Sequence, residues 1–251
     1  MKKIITIIII ILLLPALCFA GALQEKQKSC IAKKNGSAAD PCSCQGTTYM
    51  FCYTGDFSAD TDKACFTNGT ASKDGTPNSA ISVSANYLEW ASTYDRLTWA
   101  ISSDDGVSDS LGTVYFDYYA VSAVGDQEVF RVVGDATNDI YIRVSGTSDT
   151  VKCSHTGNGT AQTVNSTATV VADAWYRIGY SWDTANNKHS VSVVTKTTSA
   201  KGWEEDSEAL EDWTTQPSAL SAGDVVGAAT GTVRMRDVIV LSTYQATDPN
   251  P

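Results

Sequence analysis

From Thr47 onward the chain consists of short apolar–polar alternations separated by Gly, Asp, Asn, Ser and Thr, and few folds accept that pattern. Alternation with a period of two marks a strand with one face buried and one face wet. "TVYFDYYA" sets Val114, Phe116 and Tyr118 on one face. "EVFRVV" sets Phe130 and Val132 against Val129, Arg131 and Val133, and "DIYIRV" turns Ile140, Ile142 and Val144 inward with Tyr141 and Arg143 outward. "WYRIGYSW" groups Tyr176, Ile178, Tyr180 and Trp182, and "HSVSVV" groups Val191 and Val193. "VRMRDVIVL" is expected to bury Val233, Met235, Ile239 and Leu241, with Arg234 and Arg236 facing away. Shorter strand candidates are "TYMFCY", "YLEW", "LTWAI", "TVKCSH", "AQTV" and "DVVGAA".

Helical periodicity is confined to "WEEDSEALEDW", Trp203 to Trp213, whose acidic start suits a helix N-terminus. A dozen short strands with turn residues between them predict an all-β, antiparallel two-sheet sandwich or a barrel. No repeat of propeller or solenoid length interrupts them.

Ahead of this region the chain is of a different kind. Lys2 and Lys3, an apolar run from Ile4 to Leu14, and small residues at Cys18 and Ala20 predict a secretory signal peptide over residues 1–20, cut after Ala20. A lipoprotein signal at Cys18 fits less well, because bulky Leu17 precedes the cysteine. The run is too short to span a bilayer as a helix. Residues 21–46 read as an irregular Cys-containing leader, residues 47–244 as one β-sandwich domain and residues 245–251 as a C-terminal tail. Loss of the signal leaves 16 basic and 28 acidic residues, a net charge of −12. That balance argues against nucleic acid and anionic membrane surfaces, which need clustered Lys and Arg, and is neutral toward sugars. Export also favours disulfides, and Cys30, Cys42, Cys44, Cys52, Cys65 and Cys153 are the candidates, with pairing open.

The order of the strands carries a resemblance. "GTVYFDYYA", "QEVFRVVGDATNDIYIRVSG", "TVKCSHTGNG", "AWYRIGYSWDTANNKHSVSVV" and "GTVRMRDVIVL" together resemble the laminin-G/concanavalin-A-like jelly roll. Trp175, Tyr176, Trp182 and Asp183 match its middle strand, and Gly231 and Asp237 its last. The resemblance spans roughly residues 47–244 and implies a jelly-roll sandwich whose relatives mostly bind carbohydrate, protein or matrix, sometimes through calcium. A minority act on polysaccharides. The stretch from Thr195 to Pro217 departs from the pattern, being longer and more acidic than a hairpin connection requires.

Several residues are candidates for chemistry. Glu204, Asp206 and Glu208 have the i, i+2, i+4 spacing of a sandwich glycosidase, yet Glu205 and Ser207 stand where that pattern requires core residues, so a solvated loop or helix start is expected. A polysaccharide lyase would need a base beside cations that neutralise a uronate, for which Arg131, Arg143 and Lys152 with Tyr141 and His155 are the nearest set. Tyr115, Tyr119, Trp203 and Trp213 are left off the core face and are candidate sugar-stacking rings. Asp135, Asn138 and Asp139 in "GDATND" are candidate calcium ligands, as are Asp104, Asp105 and Asp109, but these types are equally turn formers. His189 is expected at the surface, and His155 beside a disulfide at Cys153.

These readings make the protein a secreted, non-catalytic binding or adhesion module. Its expected partner is an extracellular glycan or surface protein, with no required cofactor, calcium as an optional ion and no membrane span after signal cleavage. The candidate ligand-binding residues are Arg131, Tyr141, Arg143, Trp203 and Trp213. A polysaccharide-active enzyme, a lyase before a glycosidase, is the second reading, and a self-assembling surface protein the third.

Overall fold

The computed structural model describes residues 49–53, 63–66, 73–74, 76–78, 82–84, 87–91, 94–121, 125–196, 201–206, 209–224 and 231–245. The signal peptide, the leader with Cys30, Cys42 and Cys44, and most of "DVVGAA" lie outside them.

Among the described residues, strands numbered in chain order form two sheets. The first has ten strands and runs β15 (Lys201–Asp206), β14 (Lys188–Thr195), β13 (Trp175–Asp183), β8 (Leu111–Ala120), β17 (Val233–Leu241), β1 (Tyr49–Tyr53), β2 (Lys63–Phe66) and β3 (Lys73–Asp74). β6 (Tyr87–Trp90) also pairs with β17, and β5 (Ser82–Ser84) pairs with β6. The second sheet has seven strands in the order β12 (Thr160–Thr169), β11 (Thr150–Gly157), β10 (Asn138–Val144), β9 (Gln127–Asp135), β16 (Ala219–Gly223), β7 (Arg96–Ala100) and β4 (Thr76–Asn78). The pairings are antiparallel, which gives the predicted jelly-roll-like β-sandwich.

The expected inner faces meet. Val114, Phe116 and Tyr118 of β8, with Tyr176, Ile178, Tyr180 and Trp182 of β13, pack in one core with Ile140 and Ile142 of β10 and Phe130 and Val132 of β9. The rings of Phe116 and Phe130 bridge the sheets at 6.1 Å. Tight turns lock the register of the second sheet. Asn158 and Gly159 both have positive φ, at 50° and 81°, and close β11 onto β12 as a two-residue hairpin of the type the right-handed strand twist favours.

Several expectations change in three dimensions. The register of β17 slips between Arg236 and Ile239, where Asp237 takes φ 53°. This bulge inverts the alternation beyond it, so Val238 and Val240 join the core and Ile239 is paired with outward-facing Tyr115. A second slip, between Ile142 and Arg143, brings Val129 into the core. His189 is buried, not at the surface: its register partner is Trp182, and Nδ1 meets the hydroxyl of Tyr180 at 3.1 Å. Cys153 flanks no disulfide. Its thiol is free, wholly buried opposite Ile142, and pushed well above its usual pKa by that burial. "KGWEED" is strand β15 and not the start of a helix. An edge strand pairs on one side only, so consecutive acids are tolerated there as they would not be in mid-sheet.

No helix among the described residues is long and apolar enough to cross a membrane.

Candidate functional site: the outer face of the second sheet

The two outward faces of the sandwich differ. On the first sheet the chain occupies its own surface: Thr113 Oγ1 donates to the Thr243 carbonyl at 2.6 Å, the Gln245 amide donates to Thr113 at 3.0 Å, and the hydroxyls of Tyr115 and Ser181 donate to the Gln245 carbonyl. Tyr115 is therefore buried and Tyr119 is engaged with Asp173 and Trp175. Neither is a free sugar platform.

On the second sheet the register aligns one polar row across six strands. Thr98 of β7 pairs with Ser221 of β16, Ser221 with Arg131 of β9, Arg131 with Tyr141 of β10, Tyr141 with Ser154 of β11, and Ser154 with Thr163 of β12. The adjacent row holds Glu128, Arg143, Lys152 and Asn165. Arg131, Tyr141 and Arg143 thus share one face, as their alternation predicts, and all three are half-buried. Half-buried Thr98 and Thr163 complete the surface, while Ser221, Ser154 and Glu128 in the same rows are buried, and none of the five was singled out in the sequence. The two-residue turn "NG" would have set Ser154 opposite Thr163, whereas the slips in the β9–β10 ladder hide Glu128, and Ser221 and Thr98 come from strands distant in sequence.

The charges on this face are ordered. Arg131 makes a close ion pair with Asp139, and its Nε lies 3.8 Å from Glu128. Arg143 pairs with Asp126 at 3.2 Å, near the sheet margin. Glu128 is only 4 % exposed, and burial pushes its carboxyl up to about 7 against the pull of Arg131. A raised carboxyl pKa means that ionisation weakens the fold: the contribution of Glu128 is fully present below about 4.5 and is lost as pH rises through about 7, a difference of roughly 3 kcal/mol at most. Glu128→Gln is expected to unfold at higher denaturant than the parent at pH 8, by about 1–3 kcal/mol, and to flatten the stability profile between pH 5 and 8. A parallel profile in chemical denaturation would contradict this.

The remaining candidates take structural roles. Asp135 Oδ1 accepts from the Thr137 amide and hydroxyl and from Asn138 Nδ2, at 2.8–2.9 Å, and Oδ2 accepts from Thr215 at 3.0 Å. These bonds, the Thr137 amide foremost, hold its carboxyl down at about 2. Asn138 Oδ1 accepts from the Asn158 amide at 3.0 Å, and Asp139 turns to Arg131. Asp135 and Asn138 thus serve the turn, and Asp139 Oδ2 serves the ion pair with Arg131. Asp105 and Asp109 do likewise, accepting from the Ser102 amide at 2.8 Å and the Trp213 amide at 3.0 Å. Among the described residues no group of three or more His, Cys, Asp or Glu side chains converges.

Trp213 is not a sugar platform either. It is 8 % exposed, its ring lies 6.1 Å from that of His155, and its segment is tied through Asp212 to Thr184 and Asn158. His155 Nε2 faces the Asp109 carbonyl at 3.0 Å, which requires a proton on that nitrogen, and burial lowers its pKa. Trp203 lies on β15 opposite Ser192, and its side chain falls outside the described part.

No protein-family model matches the chain, and no curated protein matches it in sequence. Solved structures do. The botulinum neurotoxin serotype D binding domain superposes with a TM-score of 0.58 at 8% identity, over 78% of this chain and 48% of that one. The serotype G binding domain gives 0.55 at 8% identity, over 78% and 48%. A second structure of the neurotoxin D receptor binding domain gives 0.57 at 8% identity, over 78% and 50%. The chain thus spans about half the length of the solved chains it matches. At such identity the likeness is one of fold, and it places the chain among jelly-roll-like β-sandwiches.

Proposed function

We propose that the protein is an exported, non-catalytic binding module of the laminin-G/concanavalin-A-like kind, and that the outer face of the second sheet receives an extracellular glycan. The observation that carries this reading is the cross-strand row from Thr98 to Thr163 with Arg131 and Tyr141 at its centre. The hydroxyls of Thr98 and Thr163, the guanidinium groups and a tyrosine along this face can hydrogen-bond several sugar hydroxyls at once while the ring packs on a pyranose face. Arg143 and Lys152, neighbours across β10 and β11, add positive charge to a chain that is acidic overall, which favours uronate or sulfated sugars. That one of the similar solved structures is the receptor binding domain of botulinum neurotoxin D agrees with a binding role and does not carry it.

The lyase reading has one observation in its favour, a carboxyl near neutral pKa beside an arginine. Yet Glu128 Oε1 is buried, and among the described residues it accepts no hydrogen bond, so it stands beneath the surface on which a polymer would lie. A base must reach the proton it removes. Glu128 does not.

Oligogalacturonate and sulfated oligosaccharide arrays test the proposal. Binding is expected to be saturable, and Arg143→Ala and Tyr141→Ala are each expected to weaken it by about ten-fold, the loss of one to two hydrogen bonds or a stacked ring, without lowering thermal stability. Unchanged affinity in both variants would remove this face from consideration.

A further inference from the structure

We propose that Cys52 and Cys65 are joined by a cross-strand disulfide that staples β2 to β1. The two residues are direct register partners in an antiparallel pair, and the neighbouring pair Phe51–Phe66 fixes the register beside them. Opposed residues in such a ladder have Cα atoms about 4.5–5.5 Å apart, inside the span of about 4.4–6.8 Å that a disulfide accepts. Register partners also share a face of the sheet. The row they begin continues through Ile239, Tyr115, Gly179 and Ser192 across β17, β8, β13 and β14.

Cys153 does not compete for either partner, because it is a free thiol enclosed in the core on β11 of the other sheet. With Cys153 set aside, the register brings together the two cysteines of the sandwich that can meet.

The bond forms by exchange with a protein or small-molecule disulfide, the class of oxidant met in an exported chain's compartment. One cysteine thiolate attacks that disulfide, forms a mixed disulfide and expels one thiolate of the oxidant. The second cysteine, after losing its proton, attacks the protein sulfur of the mixed disulfide and expels the other. Two thiol protons and two electrons leave the protein, and the oxidant ends as a dithiol. Because β1 is hydrogen-bonded to β17, the staple ties the otherwise short β2–β3 edge to the centre of the first sheet.

The purified full chain, refolded in a glutathione redox buffer and blocked at its free thiols, tests this independently of export and of ligand binding. Digestion without reduction by trypsin and chymotrypsin, cutting after Phe51, Tyr53, Lys63 and Phe66, is expected to release Cys52–Tyr53 bridged to Ala64–Phe66, lighter by two hydrogens than the separate peptides. Cys153 is expected in its blocked form. Either cysteine bridged elsewhere, or both recovered blocked, overturns the proposal. In the oxidised protein Cys52→Ser, Cys65→Ser and the double variant are expected to lower the melting temperature by the same amount, on the order of 5 °C. Additive losses would show two unlinked thiols and would also overturn it.

Discussion

Truncation of Trp182 to alanine is expected to cost the fold about 3–5 kcal/mol, the range for removing a large enclosed aromatic from a core. Trp182 is fully buried on β13, stacks on Tyr180 with ring centroids 5.8 Å apart, and donates its indole N–H to the Ser108 carbonyl at 3.3 Å. Its ring also fills the space beside Gly112 on β8, where an added Cβ would lie 2.4 Å from the indole. Gly112 is thus small because Trp182 is large. Gly112→Ala alone is expected to destabilise, since backbone and ring must separate, whereas in the Trp182→Ala background the added methyl has room. The two losses are therefore expected to be strongly non-additive in a double-mutant cycle. Additive losses in urea titration would contradict this packing.

Asp117→Ala is expected to have a comparable effect, about 3–5 kcal/mol, for an electrostatic reason. Asp117 is fully buried on the outward side of β8, with Arg177 and Lys196 at 3.3 and 3.5 Å from Oδ1 and Arg236 at 3.2 Å from Oδ2. Arg177 is 6 % exposed and also donates to the Asp237 carbonyl at 2.9 Å, so it stays enclosed when its counter-charge is removed. Arg236 lies 4.0 Å over the ring of Trp175 and Lys196 reaches solvent, so both tolerate the loss better. Most of the expected cost therefore falls on Arg177. Asp117→Asn retains an acceptor and is expected to lose less, and the difference between the two variants should change little with salt because the group is enclosed. A loss below about 1 kcal/mol for the alanine variant would show the cluster to be of surface character.

The period-two pattern was sufficient for the inner faces of β8, β10, β13 and β14, whose own residues carry no bulge, so odd and even positions stay apart. It failed on the strands that carry the extra residue of a slip, β9 and β17. The bulge at Asp237 is unannounced, since an aspartate takes the left-handed conformation there without a glycine to signal it. The slip beside Arg143 hid both the core role of Val129 and the enclosure of Glu128. His189 read as a surface residue because its environment comes from Tyr180 and Trp182 across the strand pair, a neighbourhood set by register. β15 read as helical or solvated because a sheet edge accepts an acidic composition. Arg131, Tyr141 and Arg143 were legible because each strand's own alternation sets them off the core face, and the slips in the β9–β10 ladder bring them to one outer face. Trp213 was not, as its burial depends on where a long crossover segment lands.

Glycan binding without turnover on the second sheet, as proposed, is open to direct test. The most direct measurement is a calorimetric titration of the intact protein with oligogalacturonate, followed by chromatography and ultraviolet absorbance of the recovered sugar. The account predicts saturable heat, about ten-fold weaker binding for Arg143→Ala, and sugar returned at its original length with no absorbance of unsaturated ends. Unsaturated products, or binding indifferent to Arg143 and Tyr141, would contradict it.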